Sequence, residues 1–266
     1  MMQKIFTRKI IFFAALILPG LLLMSQDRIP QNPEWSRFAD QRIWLSIPNF
    51  GDVFSNLPFV VIGFMGLRFL IRLKDDKDSA FEFSWEKAAP TIFFTGVFLT
   101  GFGSTWFHLN PDNSRLVWDR LPMTWAFMGL FCQLISDRVS ARAGYILVFP
   151  LAAIGMFSVI WWYWTEVTGV GDLRLYLWIQ FAPMLAIILA LVFFPSRYSH
   201  GKMYLGALLF YFLAKIFEHF DATVFQALGL ISGHSLKHLL AGIGAWLVLN
   251  MLNQRKRISE NQLANF

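Results

Sequence analysis

Long apolar stretches dominate this sequence and restrict what it can fold into. Eight of them are long enough to be considered membrane spans, and each is apolar throughout rather than alternating between polar and apolar residues. Helices and closed barrels are the two structures that satisfy their backbone groups in lipid, and a barrel strand alternates. The pattern therefore predicts transmembrane helices of about 20 residues. They cover residues 9–25, 50–72, 88–108, 115–136, 144–164, 174–194, 203–222 and 233–252.

Composition supports a membrane protein. The chain is 56% hydrophobic and 15% charged, whereas an average soluble domain is about 25% charged. Its 29 Phe and 11 Trp residues are too many for a soluble core of 266 residues. The same counts, with Cys132 as the single cysteine, exclude a disordered chain and a disulfide scaffold. The loops are too short for a second domain, so we predict one compact all-α, multi-pass membrane domain.

The first apolar stretch follows Lys4, Arg8 and Lys9, a pattern shared by retained anchor helices and by secretory signal peptides. The residues after it do not form a clear small-x-small cleavage site. We therefore favour an uncleaved N-terminal anchor helix over a signal peptide.

The basic residues predict the orientation of the helices, because short cytoplasmic loops are enriched in Lys and Arg. With the N-terminus inside, fourteen basic residues fall in inside segments and six in outside segments. The net charge of +6 is thus a topology signal, and we expect no nucleic-acid partner. The inside residues are Lys4, Arg8, Lys9, Arg72, Lys74, Lys77, Lys87, Arg138, Arg142, Arg197, Lys202, Arg255, Lys256 and Arg257. The outside residues are Arg28, Arg37, Arg42, Arg115, Arg120 and Arg174.

Five polar residues converge on the outer end of the predicted bundle. Helix direction puts His108, Asp119, His234 and His238 at that level, and Ser104 precedes His108 by one turn. The i, i+4 spacing of His234 and His238 suits two imidazole ligands of one metal. With His108 they would form an open metal site that suits zinc, with iron or manganese as alternatives by ligand type. Bound zinc activates water and polarises a carbonyl. Asp119 would transfer protons, and Ser104 would stabilise an oxyanion. The alternative is a polar histidine pair at headgroup level.

Other polar and aromatic residues have simpler interpretations. Lys215, Glu218 and Asp221 are expected to form an ion-paired helix surface, with orientation of a histidine ligand as the alternative for either carboxylate. His200 is expected to be a solvated loop residue. Tryptophans at the ends of the stretches are expected to anchor the bundle in the membrane interface. These are Trp44, Trp106, Trp118, Trp161, Trp162 and Trp164.

Four segments carry a resemblance to a known family. They are residues 49–56, 103–108, 119–123 and 234–246, and their order and spacing match as well. In these segments the sequence resembles the alkaline ceramidase family, a group of seven-helix membrane amidases. The resemblance covers about residues 40–252, nearly the whole chain apart from the first stretch.

The resemblance implies a zinc ion held by His108, His234 and His238, with Ser104 and Asp119 assisting catalysis. It also implies a seven-helix core made of stretches two to eight. The domain organisation is then an anchor helix in residues 1–30, a ceramidase-like membrane domain in residues 31–254 and a cytoplasmic tail in residues 255–266.

The sequence departs from the family at one point. The animal enzymes that it resembles have a calcium site built by acidic residues before and at the start of the first core helix. Asp40 is still a candidate ligand, but Asn49 stands where an acidic ligand would be expected. Calcium prefers several carboxylate oxygens, which puts calcium binding in doubt.

We therefore expect a zinc-dependent intramembrane hydrolase that cleaves the amide bond of ceramide, releasing a fatty acid and a long-chain base. The substrate would be a lipid within the bilayer. One alternative is an amidase for another N-acyl lipid. Another is a non-enzymatic zinc-containing receptor or sensor, because the wider superfamily includes adiponectin-type receptors. Short loops and the single cysteine fit a bacterial inner membrane, with both termini cytoplasmic and the site facing the periplasm.

Overall fold

The computed structural model of the chain describes residues 2–73 and 80–258. Two of the inside basic residues, Lys74 and Lys77, and residues 259–266 of the expected tail lie outside this range. In the described residues the regular structure is helical, and two isolated bridge pairs are the only strand-like contacts. The prediction of an all-α fold is confirmed.

Ten α-helices occur in the described residues, and they follow the predicted apolar stretches. In chain order they are α1 (Met2–Met24), α2 (Phe50–Phe54), α3 (Leu57–Arg72), α4 (Ala88–Leu109), α5 (Asn113–Arg138), α6 (Ala141–Val167), α7 (Arg174–Phe193), α8 (Met203–His219), α9 (Asp221–Leu228) and α10 (Gly233–Gln254).

The helices make a multi-pass membrane protein, as predicted. Within the described residues, six helical segments are long and apolar enough to cross a membrane, and the bent pair α8–α9 is a seventh if counted as one span. Helix α5 has 26 residues but carries charged side chains near both of its ends. It packs against α4, α6 and α7 in the middle of the bundle, so its polar residues are shielded from lipid by neighbouring helices.

Two predicted spans are interrupted. The stretch 50–72 breaks between α2 and α3, where Pro58 occupies the first turn of α3 and supplies no backbone N–H. The predicted stretch 203–222 is too long for one straight helix, because α8 ends at His219 and α9 leaves at an angle of 80°. Asp221 is the first residue of α9, and its carboxylate accepts hydrogen bonds from the backbone N–H groups of Ala39 and His234. These bonds attach the bend to the loop before α2 and to the start of α10.

Small residues let α4 and α5 approach closely. A Cβ atom added to Gly96 would lie 2.4 Å from the backbone nitrogen of Ala126, and one added to Gly129 would lie 2.4 Å from that of Phe93. Close packing of this kind holds helices together in a membrane, where burial of apolar surface from water contributes little. The contact aligns the two helices that carry His108 and Asp119.

A buried ion pair closes the end of the bundle opposite these residues. Arg255, the first residue of the expected tail, is 3% exposed. Its Nη1 donates to both carboxylate oxygens of Asp137 at 2.9 Å, and its Nε donates to the carbonyl of Ala80 at 2.6 Å. The hydroxyl of Tyr204 also donates to Asp137, at 2.8 Å. The pair thus joins the end of α10 to α5, α8 and the segment before α4.

We predict that Arg255→Ala lowers the free energy of unfolding by about 3–5 kcal/mol, because it leaves the carboxylate of Asp137 buried without its cation. Denaturant unfolding in detergent measures the change. The matched control is Arg257→Ala, since Arg257 is more than half exposed where it pairs with Glu82 and should contribute at most about 1 kcal/mol. Equal effects of the two substitutions would contradict this assignment.

Candidate metal centre

Three imidazoles meet at the other end of the bundle. His108 lies in the last turn of α4, and His234 and His238 lie in the first two turns of α10. They are 1%, 6% and 4% exposed. One nitrogen of each ring lies within 4.8 Å of the others, and the Nε2 atoms of His108 and His234 are 3.2 Å apart. The predicted convergence of the three residues is therefore present.

The donor set fits a zinc ion. Two nitrogens bound to one tetrahedral zinc at about 2.0–2.1 Å lie about 3.3 Å from each other, close to the observed 3.2 Å between His108 and His234. Three imidazoles are a typical ligand set for catalytic zinc, which keeps a further position open. In the described part of the chain no carboxylate joins this group of ligand atoms. The three histidines are positioned to bind a metal ion, consistent with zinc.

Hydrogen bonds fix the start of α10, which presents two of the histidines. The side chain of Ser232 caps the helix by accepting from the backbone N–H of Ser235 at 2.9 Å. The carboxylate of Asp221 accepts from the N–H of His234 at 2.8 Å and from that of Ala39 at 2.9 Å. Asp221 therefore binds the backbone of His234 rather than its ring, and it forms no ion pair with any residue that the structure describes.

The loop between α1 and α2, residues 25–49, covers the histidines. The ring of Phe38 lies 4.5 Å from that of His108 and 4.4 Å from that of His234, measured between centroids. Phe38 is itself 6% exposed. Farther along the loop, Arg42 donates to the carbonyls of Gly229 and Leu230 at 3.2 and 2.7 Å. The loop is thus attached to the turn before α10 and shields the cluster from solvent.

The two residues considered for calcium have protein partners. Both carboxylate oxygens of the buried Asp40 accept from the guanidinium of Arg42 at 2.7 Å. Burial alone would raise the pKa of Asp40, but these hydrogen bonds outweigh it and hold the pKa below its usual value. Asn49 donates to the carbonyl of His108 at 2.8 Å. Asn49 therefore supports the end of α4 next to the metal centre.

Ser104 and Asp119 lie together beside the cluster. Ser104 is buried one turn before His108, and Asp119 is half-buried in the first two turns of α5. The two helices come close at Gly103, where a Cβ atom would lie 2.0 Å from the carbonyl oxygen of Trp118 and 3.3 Å from the backbone nitrogen of Asp119. Glycine therefore lets α5 pass close to α4 at this level. The catalytic roles of Ser104 and Asp119 stay predictions.

Glu218 forms ion pairs near the same end. It contacts Lys215, as predicted, and also Lys237, at 3.1 Å. Lys237 lies between the two histidines of α10 in sequence, and no sequence motif marks its pairing with Glu218. The remaining histidines, His200 and His219, are exposed.

One tryptophan departs from the predicted interfacial position. Trp162 is fully buried, and the guanidinium of Arg120 lies 4.2 Å above its ring and 4.8 Å from that of Tyr176. Arg120 also donates to the side chain of Gln31 at 2.8 Å. A buried cation needs such partners, and this explains why Trp162 faces the bundle rather than the membrane interface.

An apolar cavity lies within the bundle below the histidines. It has a volume of about 130 Å³ and is lined by residues of α3, α4, α5, α7, α8 and α10. Thr100 at its wall is one turn from Ser104, and Ala241 follows His238 by three residues. The cavity therefore lies within the bundle, and its wall comes within about one helical turn of Ser104 and His238.

Comparison with known families identifies the chain. The sequence model of the family named Ceramidase matches residues 43–265. The chain belongs to the Ceramidase family. A search of curated proteins found no match. The matched range includes His108, Asp119, His234 and His238, whereas α1 precedes it. For a ceramidase-family protein embedded in the membrane, an apolar cavity beside the metal centre is consistent with a lipid substrate.

We predict that alanine at His108, His234 or His238 removes the bound metal. Loss of a residue that supports a ligand weakens metal binding by about 10–100-fold. Loss of a ligand itself should weaken zinc binding further. Elemental analysis of the purified ceramidase-family protein measures the metal content. His219→Ala, an exposed residue at the end of α8, is the control and should keep its zinc. Normal zinc content in all three variants would exclude this cluster as the metal site.

Proposed function

We propose that this protein hydrolyses the amide bond of ceramide or a related N-acyl lipid, giving a fatty acid and a long-chain base. The observation that carries the proposal is a buried cluster of three histidines, one helical turn from Ser104, with an apolar cavity about one turn farther into the bundle. His108, His234 and His238 would hold the zinc. When bound, zinc polarises a carbonyl and lowers the pKa of water.

The chain's own residues would move the protons. The carboxylate of Asp119 accepts a proton from the attacking water as the C–O bond forms, and then gives it to the amide nitrogen as the C–N bond breaks. The hydroxyl of Ser104 donates a hydrogen bond to the developing oxyanion.

The apolar cavity supports a lipid chain as the bound part of the substrate. Its lining is almost entirely aliphatic and aromatic, and it lies one helical turn inward from Ser104 and His238. An acyl chain placed there would have its amide at the level of the histidines. Phe38 on the outer side would exclude bulk water from the reacting groups.

Two alternatives use the same residues. An amidase for another N-acyl lipid would need the same metal, proton carrier and cavity, and differs only in the head group that it accepts. A zinc-containing receptor or sensor needs the histidines but not a proton carrier. Asp119 therefore separates enzymes from receptors, because its loss affects hydrolysis without removing a metal ligand.

We also propose that both termini are cytoplasmic and that the metal centre faces the outer side, in the inner membrane of a bacterium. The excess of basic residues in the predicted inside segments supports this orientation. The division into an anchor helix, residues 1–30, a membrane domain, residues 31–254, and a tail, residues 255–266, stays part of the proposal.

The purified, zinc-loaded protein should release fatty acid from a panel of ceramides. Asp119→Asn should lower kcat about 10²–10⁴-fold through loss of the proton carrier, and Ser104→Ala about 10²–10³-fold through loss of the oxyanion donor. Asp112→Asn is the matched control, since Asp112 caps the same helix and asparagine caps equally well. Fatty-acid release and zinc content are measured together.

The possible outcomes separate the alternatives. A zinc-loaded protein that is inactive on every ceramide but cleaves another N-acyl lipid would replace the ceramide assignment. A protein that binds zinc and cleaves no N-acyl lipid would favour the receptor. Full activity of Asp119→Asn would refute the role of this carboxylate.

The orientation has its own test. Alkaline phosphatase fused after Asn110 should be active, because the short connection between α4 and α5 is predicted to be periplasmic, where this reporter folds. The same reporter fused after Val139, beyond the far end of α5, should be inactive. The reverse pattern would show that the metal centre faces the cytoplasm.

A further inference from the structure

His238 differs from the other two histidines in what its second ring nitrogen contacts. Its Nδ1 lies 2.8 Å from the hydroxyl oxygen of Ser55, and both residues are buried. In contrast, the buried Nδ1 atom of His108 has no hydrogen-bond partner among residues 2–73 and 80–258. Ser55 lies at the break between α2 and α3, and 183 residues of sequence separate it from His238.

The hydrogen-bond partners of Ser55 indicate which ring nitrogen of His238 carries the proton. Its hydroxyl also contacts the carbonyl oxygen of Asp52, at 3.0 Å. A carbonyl can only accept, so this contact is a hydrogen bond when the single hydroxyl hydrogen points to Asp52. The oxygen of Ser55 is then left to accept from an N–H at Nδ1 of His238. A neutral imidazole protonated at Nδ1 keeps its lone pair on Nε2, the nitrogen that remains for a metal.

A second set of hydrogen bonds holds the helix that carries His238 next to the segment that carries Ser55. The side-chain oxygen Oδ1 of Asp52 accepts from the hydroxyls of Ser232 and Ser235, at 2.9 and 2.7 Å. These serines belong to the cap and first turn of α10, the helix that carries His238. One residue of α2 therefore orients Ser55 through its backbone and holds the start of α10 through its side chain.

We propose that Ser55 is a positioning residue that holds His238 in the tautomer and ring orientation needed to bind the metal. The inference rests on the proposed zinc site. Ligating histidines generally donate their second N–H to a fixed acceptor, and loss of that acceptor costs about 10–100-fold in metal affinity or activity. In this protein a serine hydroxyl backed by a main-chain carbonyl is the acceptor for His238.

The experiment compares zinc affinities of full-length purified variants by competition with a chromophoric chelator. Ser55→Ala should bind zinc about 10–100-fold more weakly than the unmodified protein. Ser158→Ala is the matched control: Ser158 is equally buried and its hydroxyl also donates to the carbonyl three residues earlier, that of Gly155, but it lies in α6. Ser158→Ala should leave zinc affinity unchanged.

Ser55→Thr and Ser55→Val have side chains of similar shape, and only Thr keeps the hydroxyl. Comparing these two variants tests the hydroxyl even if Ser55→Ala does not fold. Ser55→Thr keeps the acceptor and should stay within a few-fold of the unmodified protein, whereas Ser55→Val should weaken zinc binding as Ala does. The visible absorption of the cobalt-loaded protein should change for Val and Ala but not for Thr, because the orientation of one ligand changes.

The results distinguish this inference from the proposed function. If the unmodified protein binds zinc and Ser55→Ala or Ser55→Val binds it equally well, Ser55 has no positioning role, although the zinc site stands. Equal weakening by Thr and Val would likewise overturn it, since the hydroxyl would not matter. If the unmodified protein binds no zinc, the proposed function itself fails.

Discussion

The 3.2 Å separation of two imidazole nitrogens, from His108 and His234, is the contact on which the rest of the site depends. Two nitrogen lone pairs repel at this distance unless a proton or a cation lies between them. Burial makes the repulsion costly, since little water is available to relieve it. The surrounding contacts hold the rings together nonetheless: Phe38 covers them, Asp221 holds the start of α10, and Gly103 lets α5 approach α4.

The membrane explains how the polar groups are distributed. Lipid cannot satisfy a buried donor or acceptor, so the hydrogen-bonded clusters lie at the two ends of the bundle and an apolar cavity lies between them. At one end are the histidines and the serine–aspartate pair. At the other, Arg255 and Asp137 form a buried ion pair. Helix α10 contributes to the first cluster near its start and is followed directly by Arg255, so both ends constrain the same helix.

Features set by the hydropathy and direction of whole helices can be predicted from this sequence, whereas features set by loops and helix breaks cannot. Apolar length predicts where helices lie, and alternating direction predicts which helix ends meet, so the convergence of His108 and His238 could be read from the sequence. The covering position of Phe38 and the support from Ser55 could not, because they depend on an irregular loop and on a break inside a predicted span. The 80° bend after His219 escapes prediction for a similar reason: the hydropathy of the stretch continues through it.

The order of the helices has a consequence for biosynthesis. His108 belongs to α4, whereas His234 and His238 belong to the last helix described. A ribosome therefore makes the first ligand long before the other two, and the site is completed only when α10 joins helices already in the bilayer. Any product that stops short of residue 234 keeps one imidazole of the three. A metal ion that needs all three imidazoles could therefore be bound only after α10 has joined the bundle.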